Sequence, residues 1–145
     1  MSAVVVDTNV FSAPLAARRR AGASLQEQYR RHLIGEDLVI ATQTLAELYY
    51  GAEVAGWGPA RRERLDRHVD DALVIAPDEA MCRTFATLRT QLRRLGHGLH
   101  NRDHIGDLWI ATTAIHLGLP LVAHDRVFID CPGLDLRTEL DRATP

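Results

Sequence analysis

The sequence predicts an α/β protein built on an open parallel sheet of four to five strands, flanked by helices on both faces. Three observations carry this. Short apolar runs recur at residues 3–6, 38–41, 73–76 and 119–123, and unbroken apolar runs suit strands covered on both faces. Stretches of helical spacing lie between them, and such alternation builds βαβ units with right-handed crossovers. Acids close or follow two of the runs, at Asp7 and Asp125, and the carboxyl ends of strands are where open sheets bind ligands.

The elements follow in order. Ala3-Val4-Val5-Val6 is the first strand, closed by Asp7, and Asp7-Thr8-Asn9 reads as a strand-to-helix turn. Ser24-Leu25-Gln26-Glu27 has the form of a capping box and predicts a helix opening there, running to about Ile34 and stopped by Gly35. Leu38 to Ala41 is the second strand. Residues 43 to 55 carry Leu45, Leu48, Tyr49 and Ala52 at helical spacing. Pro59 suits a first helical turn and opens a charged helix to about Ala72. Leu73 to Ala76 repeats the Leu-Val-Ile-Ala of the second strand; the flanks differ, which predicts two strands of similar burial and no internal repeat. Asp78 can cap the next helix, whose stripe is Met81, Phe85, Leu88, Leu92 and Leu95 and whose end is Gly96. The 96–102 turn is the most mobile-looking loop. A last long helix is expected from Asp103 to Leu117, then a strand from Leu119 to Ala123 and a short fifth one at Leu134 to Leu136.

At 145 residues with 46% hydrophobic and 25% charged content, the chain suits a single domain over 1–145, its last few residues expected to be disordered. No run approaches the ~18 apolar residues of a membrane helix, and the first run is too short for a signal peptide, so a cytoplasmic protein is expected. The two cysteines, Cys82 and Cys131, show neither zinc spacing nor a disulfide framework; Cys82 falls on the apolar stripe and is expected to be buried. All 17 basic residues are arginine and the net charge is −2, which does not announce a nucleic-acid binder. Locally the arginines crowd, at Arg18-Arg19-Arg20, at Arg61, Arg62, Arg64 and Arg67, and at Arg93-Arg94. Arg18, Arg19 and Arg20 are candidate RNA-backbone contacts, while Glu63 and Arg67 suggest a solvated face with an i,i+4 pair.

Four acids carry the candidate chemistry, and each has a plainer reading. Asp7 or Asn9 could cap the following helix. Thr44-Leu45-Ala46-Glu47 also has capping-box form. Asp107 leads the apolar and small-residue stretch Leu108-Trp109-Ile110-Ala111-Thr112-Thr113-Ala114, where it faces a cavity, a partner or a metal, or else answers the helix dipole. Asp125 could simply pair with Arg126. Acids gathered at one edge repel one another unless a hard divalent cation shares them. Among the histidines, His100 and His104 alone have ligand-like spacing, which leaves zinc a remote reading.

Taken together, Val5-Val6-Asp7-Thr8-Asn9-Val10-Phe11, Leu45-Ala46-Glu47-Leu48-Tyr49-Tyr50-Gly51-Ala52, Asp107-Leu108-Trp109-Ile110-Ala111 and Leu121-Val122-Ala123-His124-Asp125-Arg126-Val127-Phe128 resemble the PIN-domain ribonucleases. Order, spacing and length are most similar to the VapC-type toxins of toxin–antitoxin pairs. The resemblance implies a PIN-like fold in which Asp7, Glu47, Asp107 and Asp125 form one pocket for Mg²⁺ or Mn²⁺. Asp7 and Asp107 would be direct ligands, with Glu47 and Asp125 holding a second ion or its waters and Thr8, Asn9 and Thr112 supporting them. Where the family often has Thr or Ser two residues before the last acid, this chain has Ala123, so that hydroxyl's role would fall to Thr8 or Thr112. The implied activity is metal-dependent RNA hydrolysis leaving 5′-phosphate and 3′-hydroxyl ends, by water activated on one or two ions. The implied partners are an RNA substrate, a cognate antitoxin and a second copy of the chain, in a homodimer or a heterotetramer or larger assembly with antitoxin. Tyr49, Tyr50 and Trp57 offer aromatic surface for such contacts.

Other classes fit less well. A haloacid-dehalogenase phosphatase needs a second Asp at position 9, which is Asn; a receiver domain needs a lysine; a Rossmann binder needs glycines where Asp7-Thr8-Asn9 stands. The alternative kept open is a catalytically degenerate PIN fold that binds RNA or protein.

Overall fold

The structure, a computed structural model, describes residues 2–16 and 20–142, without the side chains of 20–23. The strands are β1 (Ala3–Val6), β2 (Asp37–Ala41), β3 (Leu73–Ile75), β4 (Leu121–Val122) and β5 (Leu136–Arg137). The helices are α1 (Thr8–Ser12), α2 (Arg20–Leu33), α3 (Thr42–Val54), α4 (Pro59–Asp70), α5 (Glu79–Leu95) and α6 (Ile105–Leu117), with short 3₁₀ turns at Ala13–Ala16, Gly98–His100, Arg102–His104 and Arg126–Phe128.

All strand pairs are parallel, in the order β3-β2-β1-β4-β5. The chain therefore winds outward from β1 through β2 to β3, then crosses back to lay β4 and β5 on the other side. The reversal falls between β1 and β4, so their carboxyl ends border the crevice of a doubly wound sheet. Asp7 follows β1 directly, and Asp125 lies three residues beyond β4.

Successive strand side chains point to opposite faces, and the core divides accordingly. Val5, Val39, Ala41, Leu121 and Ala123 pack with Leu88 and Leu92 of α5 and Leu108, Ala111 and Ala114 of α6. Val4, Val6, Ile40 and Val122 pack on the other face with Phe11, Tyr29, Leu48, Leu65 and Val69 from α1 to α4. Both layers exclude water from residues that contribute roughly 1.5–3 kcal/mol each on burial. Left-handed Gly96 (φ 68°) ends α5 and Gly118 (φ 66°) ends α6, a conformation that suits glycine.

Several expectations are corrected. Helix α2 is already formed at Arg20, and Ser24 lies exposed inside it; the Ser24–Glu27 pattern is helical surface and not a cap. Strand β3 is an edge strand with Leu73 60% exposed, so the third run is not buried like the second. Its register sets Val39 beside Leu73 and Ala41 beside Ile75, a one-residue offset that turns identical residues of the two Leu-Val-Ile-Ala runs to opposite faces. Cys82 is exposed, and Cys131 is buried. The 96–102 loop is tied down by fully buried Leu99 and by His97 Nε2, 2.7 Å from the Ile129 carbonyl. Helix α6 starts at Ile105, the residues before it forming a 3₁₀ turn. Glu63 and Arg67 do not close an ion pair; Arg62 pairs with Glu53 at 2.8 Å, and Arg61 lies over the Trp57 ring. Among the described residues no helix is long and apolar enough to cross a membrane. The expected disorder of the last residues falls on 143–145, outside the described residues, as do Arg18, Arg19 and the side chain of Arg20.

Candidate metal centre

The extended backbone of Asp7 places its side chain between the two elements that meet at the crevice. Its Oδ1 accepts the Val10 N–H at 3.0 Å, capping α1, and its Oδ2 accepts the His124 N–H at 3.3 Å, just beyond β4. Capping uses one oxygen only, so the plain reading and the site reading coexist. The residue is 4% exposed. Burial pushes its pKa to about 7, the Val10 and His124 N–H bonds oppose this, and the charges of Asp125 and Asp107 add to the rise.

Glu47 arrives on α3, which springs directly from β2. The N-cap there is Ala41, without a side-chain cap bond. Thr44 is fully buried, and its hydroxyl pairs with that of Thr8 at 3.2 Å, so the capping-box reading of Thr44 and Glu47 fails. Glu47 stays solvent-accessible at the edge of the crevice. Its pKa is raised, first by desolvation and then by Asp107, against a hydrogen bond with Thr8 that lowers it. A Cβ on Gly106 would stand 3.2 Å from Glu47 Oε1. The missing side chain at 106 is what lets α3 bring this acid against the start of α6.

Asp107 sits in the first turn of α6, whose residues 108 and 110–114 are buried. Its Oδ2 is 3.2 Å from His104 Nδ1. Desolvation raises its pKa, the His104 hydrogen bond lowers it, and Asp125 raises it again. Asp125 caps the 3₁₀ turn at 126–128 through the Val127 N–H at 3.0 Å. Asp103 is exposed in the preceding turn.

Of the two hydroxyls expected to replace the one absent at Ala123, that of Thr8 hydrogen-bonds Glu47. Ala123 is fully buried in the apolar layer, and the Thr112 hydroxyl is occupied by the Leu108 carbonyl at 2.7 Å within its own helix; the supporting role expected of Thr112 is corrected on this ground. Asn9 is exposed. Thr44, Gly106 and His104 were not singled out from the sequence as parts of this arrangement. A glycine inside a helix beside an acid was the one available signal, since interior glycine disfavours a helix.

The electrostatics link the acids in a chain of mutual repulsion, Asp7 with Asp107 and Asp125, Asp107 with Asp125, and Glu47 with Asp107. Among the described residues no three His, Cys, Asp or Glu side chains close on a point as joint direct ligands. Mg²⁺ is held through one or two carboxylates while keeping several waters, so an oxygen-only donor set without a closed three-ligand cluster is compatible with such an ion. Zinc would need a closer set with nitrogen or sulfur. His100 Nδ1 is instead 2.6 Å from the His97 carbonyl, and His104 serves Asp107.

An open parallel sheet with carboxylates of four separate elements at its switch point defines an acidic-crevice α/β protein. A family model for the PIN domain matches residues 4–134, and the chain belongs to the PIN-domain family. Ribonuclease VapC5 of Mycobacterium tuberculosis is a homologue, 33% identical over 134 residues that cover 91% of this chain and 90% of that protein. Among solved structures, VapBC-5 from Mycobacterium tuberculosis, a member of the VapBC family of toxin–antitoxin systems, is similar at 27% identity and TM-score 0.63, covering 95% of this chain and 98% of that one. VapBC2 from Rickettsia felis, bound to a promoter DNA fragment, shares the fold at 23% identity and TM-score 0.73, covering 93% of this chain and 97% of that one.

Proposed function

We propose that this chain is a metal-dependent endoribonuclease and the toxin of a toxin–antitoxin pair, held inactive by a cognate antitoxin. The observation that carries the reading is buried Asp7, its pKa raised to about 7, facing the charges of Asp107 and Asp125. Such an arrangement opposes folding unless an added positive charge offsets it. Homology to a ribonuclease and likeness to toxin–antitoxin structures support the same reading.

Asp7 and Asp107 would hold the cation directly, with Glu47 and Asp125 holding a second ion or its waters; Mg²⁺ is the proposed metal, Mn²⁺ its substitute. When bound, such a cation lowers the pKa of coordinated water, aligns it with the scissile phosphorus and offsets charge on the leaving oxygen. The protein's part is orientation. Two N–H bonds fix the Asp7 carboxylate, His104 fixes Asp107, Thr8 steadies Glu47, and the Val127 N–H fixes Asp125. Asp7 must also shed its proton before it can serve.

The reading extends to a single domain over 1–145 in the cytoplasm, acting as a homodimer or within a heterotetramer or larger assembly with antitoxin. Tyr50 and Val54, 71% and 70% exposed on α3, support a protein partner. The test is cleavage of a labelled RNA with Mg²⁺, with EDTA, and by Asp7→Asn and Asp107→Asn. Cleavage with Mg²⁺ alone, lost by at least about a hundredfold in both variants, is expected. Full activity in both variants refutes the assignment, and an inactive wild-type protein leaves only the degenerate-fold alternative.

A further inference from the structure

Beside the carboxylates lies a second feature of opposite charge. An open recess of about 600 Å³ is walled by the outer half of α5 and the loop before α6, its lining including Phe85, Arg89, Arg93, His100, Asn101 and Arg102. Three arginines line it. Arg89 Nε donates to the His100 carbonyl at 3.2 Å, tying the helix to the loop. Among the described residues Arg93 and Arg102 have no carboxylate within ion-pair distance. Phe85 is held by stacking on Trp109 of α6, ring centroids 4.1 Å apart.

The position of the recess decides its ligand class. Arg102 is two residues before His104, whose ring holds Asp107, and buried Leu99 anchors the loop that carries both. The loop thus joins Arg102 at the recess to His104 beside Asp107. Guanidiniums suit phosphate oxygens, and an aromatic ring beside a basic groove is the combination that takes single-stranded nucleic acid.

The geometry points to this recess as a phosphate subsite for the RNA strand flanking the cleavage point, an inference that rests on the ribonuclease reading above. The recess neutralises backbone phosphates a few nucleotides from the acids and draws a polyanion toward a crevice that would otherwise repel it. The carboxylates alone cannot capture RNA; the arginines do.

Binding without cleavage tests this. A fluorescent single-stranded oligoribonucleotide is titrated with the full chain in EDTA over a range of salt. Arg93→Gln/Arg102→Gln is expected to bind about tenfold more weakly at low salt, and its log–log salt slope to shrink by about 1.4, the value for two lost single-strand phosphate contacts. Arg93→Lys/Arg102→Lys keeps the slope. Arg64→Gln/Arg67→Gln, on exposed α4 with the same charge change, keeps wild-type affinity. Unchanged affinity and slope in Arg93→Gln/Arg102→Gln overturn the proposal, as does an equal loss in the α4 variant. The cleavage assay is read separately. Cleavage indifferent to the recess sinks the subsite alone, whereas recess-dependent binding without cleavage sinks the enzyme and, with it, the subsite's place beside a cleavage point, leaving an RNA-binding recess only.

Discussion

Asp7 caps α1 from a buried position, and the cation-ligand role proposed for it pulls against this, since a buried cap tolerates a proton and a cation ligand does not. Its unfolded carboxyl releases that proton near 3.8 and its folded one near 7. Between those values the folded state binds more protons, so the metal-free protein loses stability as pH rises through this window and levels off above it. The full effect is on the order of 4 kcal/mol. Urea unfolding from pH 4 to 8 in EDTA is expected to show this decline, and Asp7→Asn to remove most of it; an identical pH profile in the variant would contradict the burial argument. Divalent cation should restore stability chiefly above pH 7, because binding releases the proton. At this scale the sequence names candidate acids and is silent about their environments. Asp7 could be read as the end of a strand, yet its contact with the His124 N–H joins residues 117 positions apart, which no local pattern encodes. Thr112 looked like a spare hydroxyl until its helix claimed it.

Where α3 meets α6, a single absent methyl group sets the spacing. Gly106→Ala would place a carbon 3.2 Å from the Glu47 carboxylate, the flexible end of an accessible side chain, which can retreat. Helix propensity favours alanine by up to about 1 kcal/mol. The expected outcome is therefore unchanged or slightly higher stability in thermal unfolding, with a severalfold loss of Mg²⁺-dependent cleavage because Glu47 is displaced. Destabilisation without an activity change would show that the glycine serves packing alone. Element types were legible because apolar runs and helical stripes alternate, and the helix ends at Gly96 and Gly118 follow from backbone chemistry. Element starts were harder. Ser24 has the composition of a cap, yet the helix runs through it, and Thr44 mimics a cap while lying buried. Edge and interior strands share the same Leu-Val-Ile-Ala run, so their unequal burial depends on neighbours the run does not name.

Over the whole molecule, the two halves of the sheet are tied together behind the crevice by Tyr29. Its fully buried hydroxyl accepts the Glu139 N–H at 3.0 Å and pairs with His124 Nδ1 at 2.8 Å and Thr138 Oγ1 at 3.1 Å. Arg31 and His32 of the same helix grip the Glu139 carboxylate. Tyr29→Phe removes the hydroxyl that His124 Nδ1 and the Glu139 N–H bond and is expected to cost roughly 1–3 kcal/mol in urea unfolding; a loss below about 0.5 kcal/mol would mean water replaces the hydroxyl. The parallel topology was foreseeable from strand–helix alternation, whereas this clasp between α2 and the segment after β5 has no signature in spacing.

The placement of β1 at the middle of the sheet also governs when the acids can come together. In chain order β1 precedes both of its neighbours, but β4 on one side is not complete until residue 122, and Asp125 follows it. Long-range parallel pairing forms late. A nascent chain thus carries Asp7, Glu47 and Asp107 before the strand that closes this side of the sheet exists.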